Sequence, residues 1–143
     1  MQNELEDRRS TENDEVRFYM TRDIISVVRN ASVTEASQTM FDYNTGSLLI
    51  EQDGEYVGIV TEGDISKRVI AQIKHPIDVQ VEAIMSKPII SIEANQLMIT
   101  AFLIMEKHGL RHIAVKENNK IIGMLSIRDF SKYYIRKFSK RKK

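Results

Sequence analysis

A chain of 143 residues with 42% hydrophobic and 29% charged content has the size and balance of one ordinary globular domain, which excludes a disordered polymer. It has no cysteine, so disulfides and thiolate metal sites are excluded as well. Its longest strongly apolar run, Leu97 to Met105 broken by Thr100, falls far short of the ~20 residues of a membrane helix. No apolar signal core opens the sequence, so the expected location is the cytoplasm and no membrane partner is expected.

Net charge is +1, yet the charges are separated. Residues 1–15 carry Glu4, Glu6, Asp7, Glu12, Asp14 and Glu15 against Arg8 and Arg9, and read as a flexible arm. Next, Val16 to Met20 reads as a short helical lead-in that docks on its own repeat, and Ile24 to Val27 as an extended segment. Ser32-Val33-Thr34-Glu35 has the capping-box form and opens a helix whose core face holds Val33, Ala36, Met40 and Phe41. Ser47–Ile50 and Tyr56–Val60 flank Gln52-Asp53-Gly54 as a hairpin, because Asp-Gly accepts the positive φ of a tight turn. A second helix is expected from about Asp64 to Gln72, ended by His75-Pro76, with a connector over Lys74 to Val79.

The same order then returns. Val81 to Met85 repeats the lead-in and Ile89 to Ile92 the extended segment. A helix from about Asn95 to His108 carries Met98, Ala101, Phe102 and Met105 on its core face. A hairpin turning at Asn118-Asn119 follows, and then a helix from about Asp129 to Phe138. Val16/Val81, Met20/Met85, Thr21/Ser86, Ala36/Ala101, Met40/Met105 and Gly58/Gly123 all stand 65 apart without a gap, which is an internal duplication. The expected limits are repeat one over 16–73, a connector over 74–79, repeat two over 80–138 and a basic tail over 139–143. Each repeat reads β-α-β-β-α, an α+β fold. About sixty residues bury a sheet poorly alone, so the two are expected to pack about a pseudo-twofold axis.

Gly58-Ile59-Val60-Thr61-Glu62-Gly63-Asp64 and Gly123-Met124-Leu125-Ser126-Ile127-Arg128-Asp129 are the twin chemical signals. Each ends a strand and opens a helix, where unpartnered N–H groups and the dipole suit a phosphate or ribose. The aspartates also read as ordinary first-turn acids that need no ligand.

With the Val-x-x-x-Met-Thr/Ser lead-ins and Gly109-Leu110-Arg111-His112-Ile113-Ala114-Val115, these motifs resemble a tandem pair of cystathionine-beta-synthase (CBS) domains, or Bateman module, from about Val16 to Tyr134. The resemblance implies a non-enzymatic sensor or regulatory subunit with no required cofactor. Its clefts between repeats would bind AMP, ADP, ATP or S-adenosylmethionine, it would form a homodimer, and it would act on an unidentified regulated protein. It further implies that Asp64 with Thr61, and Asp129 with Ser126, hold ribose or phosphate. Adenine would lie near Ile59, Ile89 and Leu110 in one cleft and near Met124, Ile24, Thr45, Gly46 and Ser47 in the other, with Thr21 and Ser86 as further lining. Arg111 and His112 would approach phosphate. Where the family often has a basic residue before the aspartate, Gly63 departs from the pattern and Arg128 keeps it. A glycine brings no charge to a phosphate, so the Asp129 cleft is expected to favour phosphorylated ligands.

Two other readings stand beside this one. The first is a ligand-free interaction module. The second is contact of the basic C-terminal helix and tail with nucleic acid. His108 and His112 are four apart, but Gly109 breaks the helix between them and no third ligand stands near, so no metal site is expected.

Overall fold

A computed structural model describes residues 14–141; the arm up to residue 13 and residues 142–143 lie outside the described part. The chain forms two compact units. The central unit is Ile24–Ile90, and the terminal unit joins the described residues up to Asp23 with those from Ser91 onward.

In the central unit the order is β1 (Ser26–Val28), α1 (Val33–Tyr43), β2 (Ser47–Gln52), β3 (Glu55–Thr61), α2 (Glu62–Ile65), a π-helical turn over Ser66–Ile70, and 3₁₀ turns at Pro76–Asp78 and Val81–Ala83. In the terminal unit a 3₁₀ turn at Val16–Phe18 is joined by β4 (Ser91–Glu93), α3 (Met98–His108), β5 (His112–Glu117), β6 (Lys120–Ser126) and α4 (Ile127–Arg141). Each unit has one three-stranded sheet: β1 runs parallel to β2 and β2 antiparallel to β3, and β4, β5 and β6 repeat this. Both hairpins slip register at equivalent points, Ile50/Glu51 and Val115/Lys116. Their turns hold Asp53, Gly54, Asn118 and Asn119 at φ of 52°, 80°, 51° and 62°. Two successive positive-φ residues match the right-handed twist of the flanking strands, as the sequence predicts.

The central core gathers Val33, Ala36 and Met40 of α1, Leu48 and Ile50 of β2, Val60 of β3, and Val69, Val81 and Ile84. In the terminal unit Met98, Ala101, Met105, Ile113, Val115 and Leu125 are buried. Phe41 does not join the core as expected: it is 86% exposed. On a helical wheel it lies about 110° from the middle of the Val33/Ala36/Met40 face, beyond its edge. Phe102 is only half-buried and meets Phe130 edge-on at 5.3 Å.

The ends of the helices differ from expectation where tertiary bonds replace local caps. At α1 the Ser32 Oγ accepts from the Glu35 N–H at 3.0 Å, as the capping sequence predicts. By contrast, α3 starts at Met98 and not near Asn95, and the Met98 N–H donates to the Asp14 carbonyl at 2.8 Å. The helix expected over Asp64 to Gln72 is one α turn followed by the π turn, and Pro76 does not end it. It stops after Ile70, and Ile73 follows in the left-handed region at φ 58°. Pro76 instead opens a 3₁₀ turn.

The lead-ins correct the expectation most sharply, because each docks on the other repeat. Val16 and Arg17 donate to the Gln96 and Ala94 carbonyls at 2.8 and 3.0 Å, and Thr21 pairs with Met124 through N–H···O bonds of 2.8 and 2.9 Å. Val81 and Glu82 donate to Ala31 and Arg29 at 2.9 and 3.2 Å, and Ser86 pairs with Ile59 at 2.9 and 3.1 Å. Close approach of these segments explains a glycine in each motif. A Cβ on Gly123 would stand 2.8 Å from both the Thr21 carbonyl oxygen and Met20 Sδ. On Gly58 it would stand 2.5 Å from Met85 Sδ and 3.1 Å from the Ser86 carbonyl oxygen.

Candidate functional site

The two corners form where β3 meets α2 and β6 meets α4. At the first, Thr61 is the N-cap in an extended conformation, and its Oγ1 accepts from the Asp64 N–H at 3.2 Å. Asp64 Oδ2 in turn accepts from Thr61 N–H at 2.9 Å and from Thr61 Oγ1–H at 3.1 Å. This reciprocal box satisfies donors that a helix start leaves bare. At the second corner Asp129 Oδ2 accepts from Ser126 N–H at 2.7 Å and from Ser126 Oγ–H at 3.2 Å. The loop entering each hairpin ties to the corner of its own unit: Glu62 N–H donates to the Gly46 carbonyl, and Ile127 N–H to the Arg111 carbonyl, both at 3.0 Å.

Neither carboxylate faces open water, since Asp129 is 6% exposed and the Asp64 side chain 16%. At both corners the backbone N–H and the hydroxyl of the capping residue converge on one carboxylate oxygen, Oδ2. A charge-assisted bond from a hydroxyl contributes about 1.5–3 kcal/mol in a favourable setting.

The corners differ in what stands next to Oδ1. Arg68 Nε lies 3.9 Å from Asp64 Oδ1, while its Nη1 donates to the Ile84 carbonyl at 3.0 Å. The π turn holding Arg68 sets this geometry, and Asp64/Arg68 at i,i+4 was the sequence signal for it. The position equivalent to Arg68 in the terminal unit is Tyr133, which instead accepts from Lys137 Nζ at 2.9 Å. Lys137 Nζ also bonds Asp14 Oδ2 at 2.8 Å. The Asp14 carboxylate raises the Lys137 pKa above its ordinary value, and burial raises that of Tyr133.

The other expected site residues divide between the units. Ile24, Thr45, Gly46, Ser47, Ile59, Ser86 and Ile89 belong to the central unit with Thr61 and Asp64. Thr21, Leu110, Arg111, His112, Met124 and Arg128 belong to the terminal unit with Ser126 and Asp129. Ile59 and Ser86 are brought together in the bridge described above, as are Met124 and Thr21, and Thr45 Oγ1 donates to the Ser47 carbonyl at 3.2 Å. Arg128 is exposed and has no ion pair or hydrogen bond among the described residues beyond its backbone.

Comparison with known proteins gives a consistent result. The CBS domain family model matches twice, over residues 15–71 and 81–136. An uncharacterized 17.7 kDa protein of Acidianus ambivalens is 35% identical over 114 residues, covering 78% of this chain and 68% of that one. The crystal structure of an uncharacterized conserved protein from Pyrococcus horikoshii superposes with a TM-score of 0.80 at 32% identity, covering 86% of this chain and 93% of that one. A homoserine O-acetyltransferase of Methanococcoides burtonii is 28% identical over 115 residues, which is 79% of this chain but 22% of that enzyme.

Proposed function

The chain belongs to the CBS-domain family and carries two copies of the unit, and from that premise we propose that it is a regulatory module that binds an adenosine-containing ligand. AMP, ADP, ATP and S-adenosylmethionine are the candidates, and the chain performs no catalysis itself. The observation that carries this reading is the pair of shielded aspartates at strand-to-helix corners, each oriented through Oδ2 by the backbone and a hydroxyl of its capping residue. Two ribose hydroxyls are suitable donors for such a carboxylate. The match to only a fifth of an acetyltransferase supports a regulatory attachment in place of a catalytic core. The reading includes a cytoplasmic homodimer acting on another polypeptide.

Arg68 extends the expected inequality of the corners. It shares Oδ1 of Asp64, so ribose hydroxyls must compete with a guanidinium there, whereas no arginine pairs with Asp129 among the described residues and Arg128 is the exposed residue next to it in the chain. The Asp129 corner is therefore the stronger site for a phosphorylated ligand.

The test is a thermal-shift panel of AMP, ADP, ATP, S-adenosylmethionine and GTP on the wild type, Asp64→Asn, Asp129→Asn and Arg68→Ala. A ligand at a hundred times its dissociation constant adds about 2.7 kcal/mol. The expected result is a shift with an adenosine compound that Asp129→Asn removes and Asp64→Asn largely keeps. A flat panel overturns the reading in favour of a ligand-free interaction module.

A further inference from the structure

The acid of α4, Asp129, is buried, whereas Arg128, Lys132 and Arg136 are exposed and have no side-chain partner among the described residues. Standing four apart, these three form a row along one side of the helix, with a cation about every 6 Å. Lys137 is not part of that row: its Nζ is bonded to Asp14 Oδ2 at 2.8 Å and to the Tyr133 hydroxyl at 2.9 Å.

Beside the row runs an apolar strip. Ile135 and Phe138 stand about 60° and about 120° round the helix from Lys132, and Tyr134 lies just beyond. All three side chains are more than half exposed. The Phe138 and Tyr134 rings stack at 5.8 Å with 18° between their planes, and Tyr133, buried, meets Tyr134 edge-on at 5.9 Å. Packing within the terminal unit thus fixes the aromatic step before anything binds. A groove of about 320 Å³ opens next to it, walled by Leu97, Ile99 and Phe102, so a splayed base has an apolar place to enter.

Unpaired cations call for an anion, and the neighbouring rings decide which kind. An acidic peptide would neutralise the row and leave the aromatic step bare. An anionic bilayer suits an apolar strip with cations on both flanks. Here the far flank is Lys137, already held by Asp14. A duplex keeps its bases stacked inside, out of reach of the rings. A single strand offers phosphates on one side and exposed base faces on the other, and exposed aromatic side chains stack such bases.

We propose that this face of α4 binds single-stranded nucleic acid, the backbone running along Arg128, Lys132 and Arg136 and the bases stacking on Phe138 and Tyr134. The site lies wholly in the terminal unit and is independent of the adenosine reading, so the variants that test it leave Asp129 and Arg128 intact.

The test is fluorescence anisotropy of a labelled oligouridylate of about 12 nucleotides with the full chain. Affinity should fall with salt, with a log–log slope of about −2 or steeper, since each phosphate contact on a single strand contributes about 0.7. Lys132→Gln with Arg136→Gln should flatten that slope by about 1.4 and weaken binding at least about tenfold in roughly 50 mM salt. Phe138→Ala should weaken binding at least about fivefold and leave the slope unchanged. Both variants alter exposed positions, and each is checked for native circular dichroism. A duplex of the same length should bind more weakly and be indifferent to Phe138→Ala. Excess AMP should not compete. No binding by the wild type, an unchanged slope in the double variant, or equal affinity for the duplex would overturn the proposal. Competition by AMP, or tighter binding to phosphatidylserine vesicles or polyglutamate than to the oligonucleotide, would overturn it as well.

Discussion

At the Asp64 corner the carboxylate is partly open, its N-cap is threonine, and Arg68 stands close to Oδ1. At the Asp129 corner the carboxylate is buried, its partner is serine, and the position of Arg68 is taken by a tyrosine turned toward Lys137. Yet the backbone bonds of the two corners and of both lead-ins coincide at the 65-residue offset. Duplication has kept the hydrogen bonds that hold each unit together, because losing a buried one costs about 1–3 kcal/mol. The side chains at the positions of Arg68 and Tyr133 have diverged, each with contacts of its own unit.

Substituting the motif glycines should separate the units most clearly. Gly123→Ala drives a Cβ against a backbone oxygen, whereas Gly58→Ala chiefly meets the mobile end of a methionine. Overpacking costs about 1–3 kcal/mol. We expect Gly123→Ala near the top of that range and Gly58→Ala near the bottom, measured as the difference in urea midpoint. Equal losses would mean that the two lead-ins are held alike.

Removing each carboxylate gives a smaller contrast. Asp129→Ala strips the acceptor from a Ser126 N–H in the less exposed corner and should cost about 2 kcal/mol. Asp64→Ala, in the more open corner, should cost about 1 kcal/mol by the same chemical-denaturation measurement.

Smallest is the effect of the Asp14–Lys137–Tyr133 network, which has no equivalent in the central unit. Both Lys137 and Tyr133 have folded pKa values raised above their ordinary 10.5 and 10.0. The folded state therefore holds these protons more tightly. Its extra stability is fully present below pH 10 and is lost as pH rises through the folded values. The ammonium is more than a third exposed, so Lys137→Met should cost only about 0.5 kcal/mol at neutral pH. The variant should also flatten the fall of melting temperature in alkaline buffer. An unchanged alkaline slope would show that the network contributes nothing.

Residue types alone determined the duplicated β-α-β-β-α order, both hairpins and the Thr61–Asp64 and Ser126–Asp129 pairings. Asp53-Gly54, Asn118-Asn119 and a hydroxyl three residues before an acid each specify a local geometry with few alternatives. Only the tertiary structure decided which sheet each lead-in joins. Val16 to Thr21 and Val81 to Ser86 share Val, Met and a hydroxyl at the same spacing, so the local pattern does not distinguish the sheets, and the backbone bonds place each on the other repeat. Arg68 beside Asp64 and the outward turn of Phe41 were likewise settled by packing, since a π turn and the width of a buried face depend on what a helix rests against.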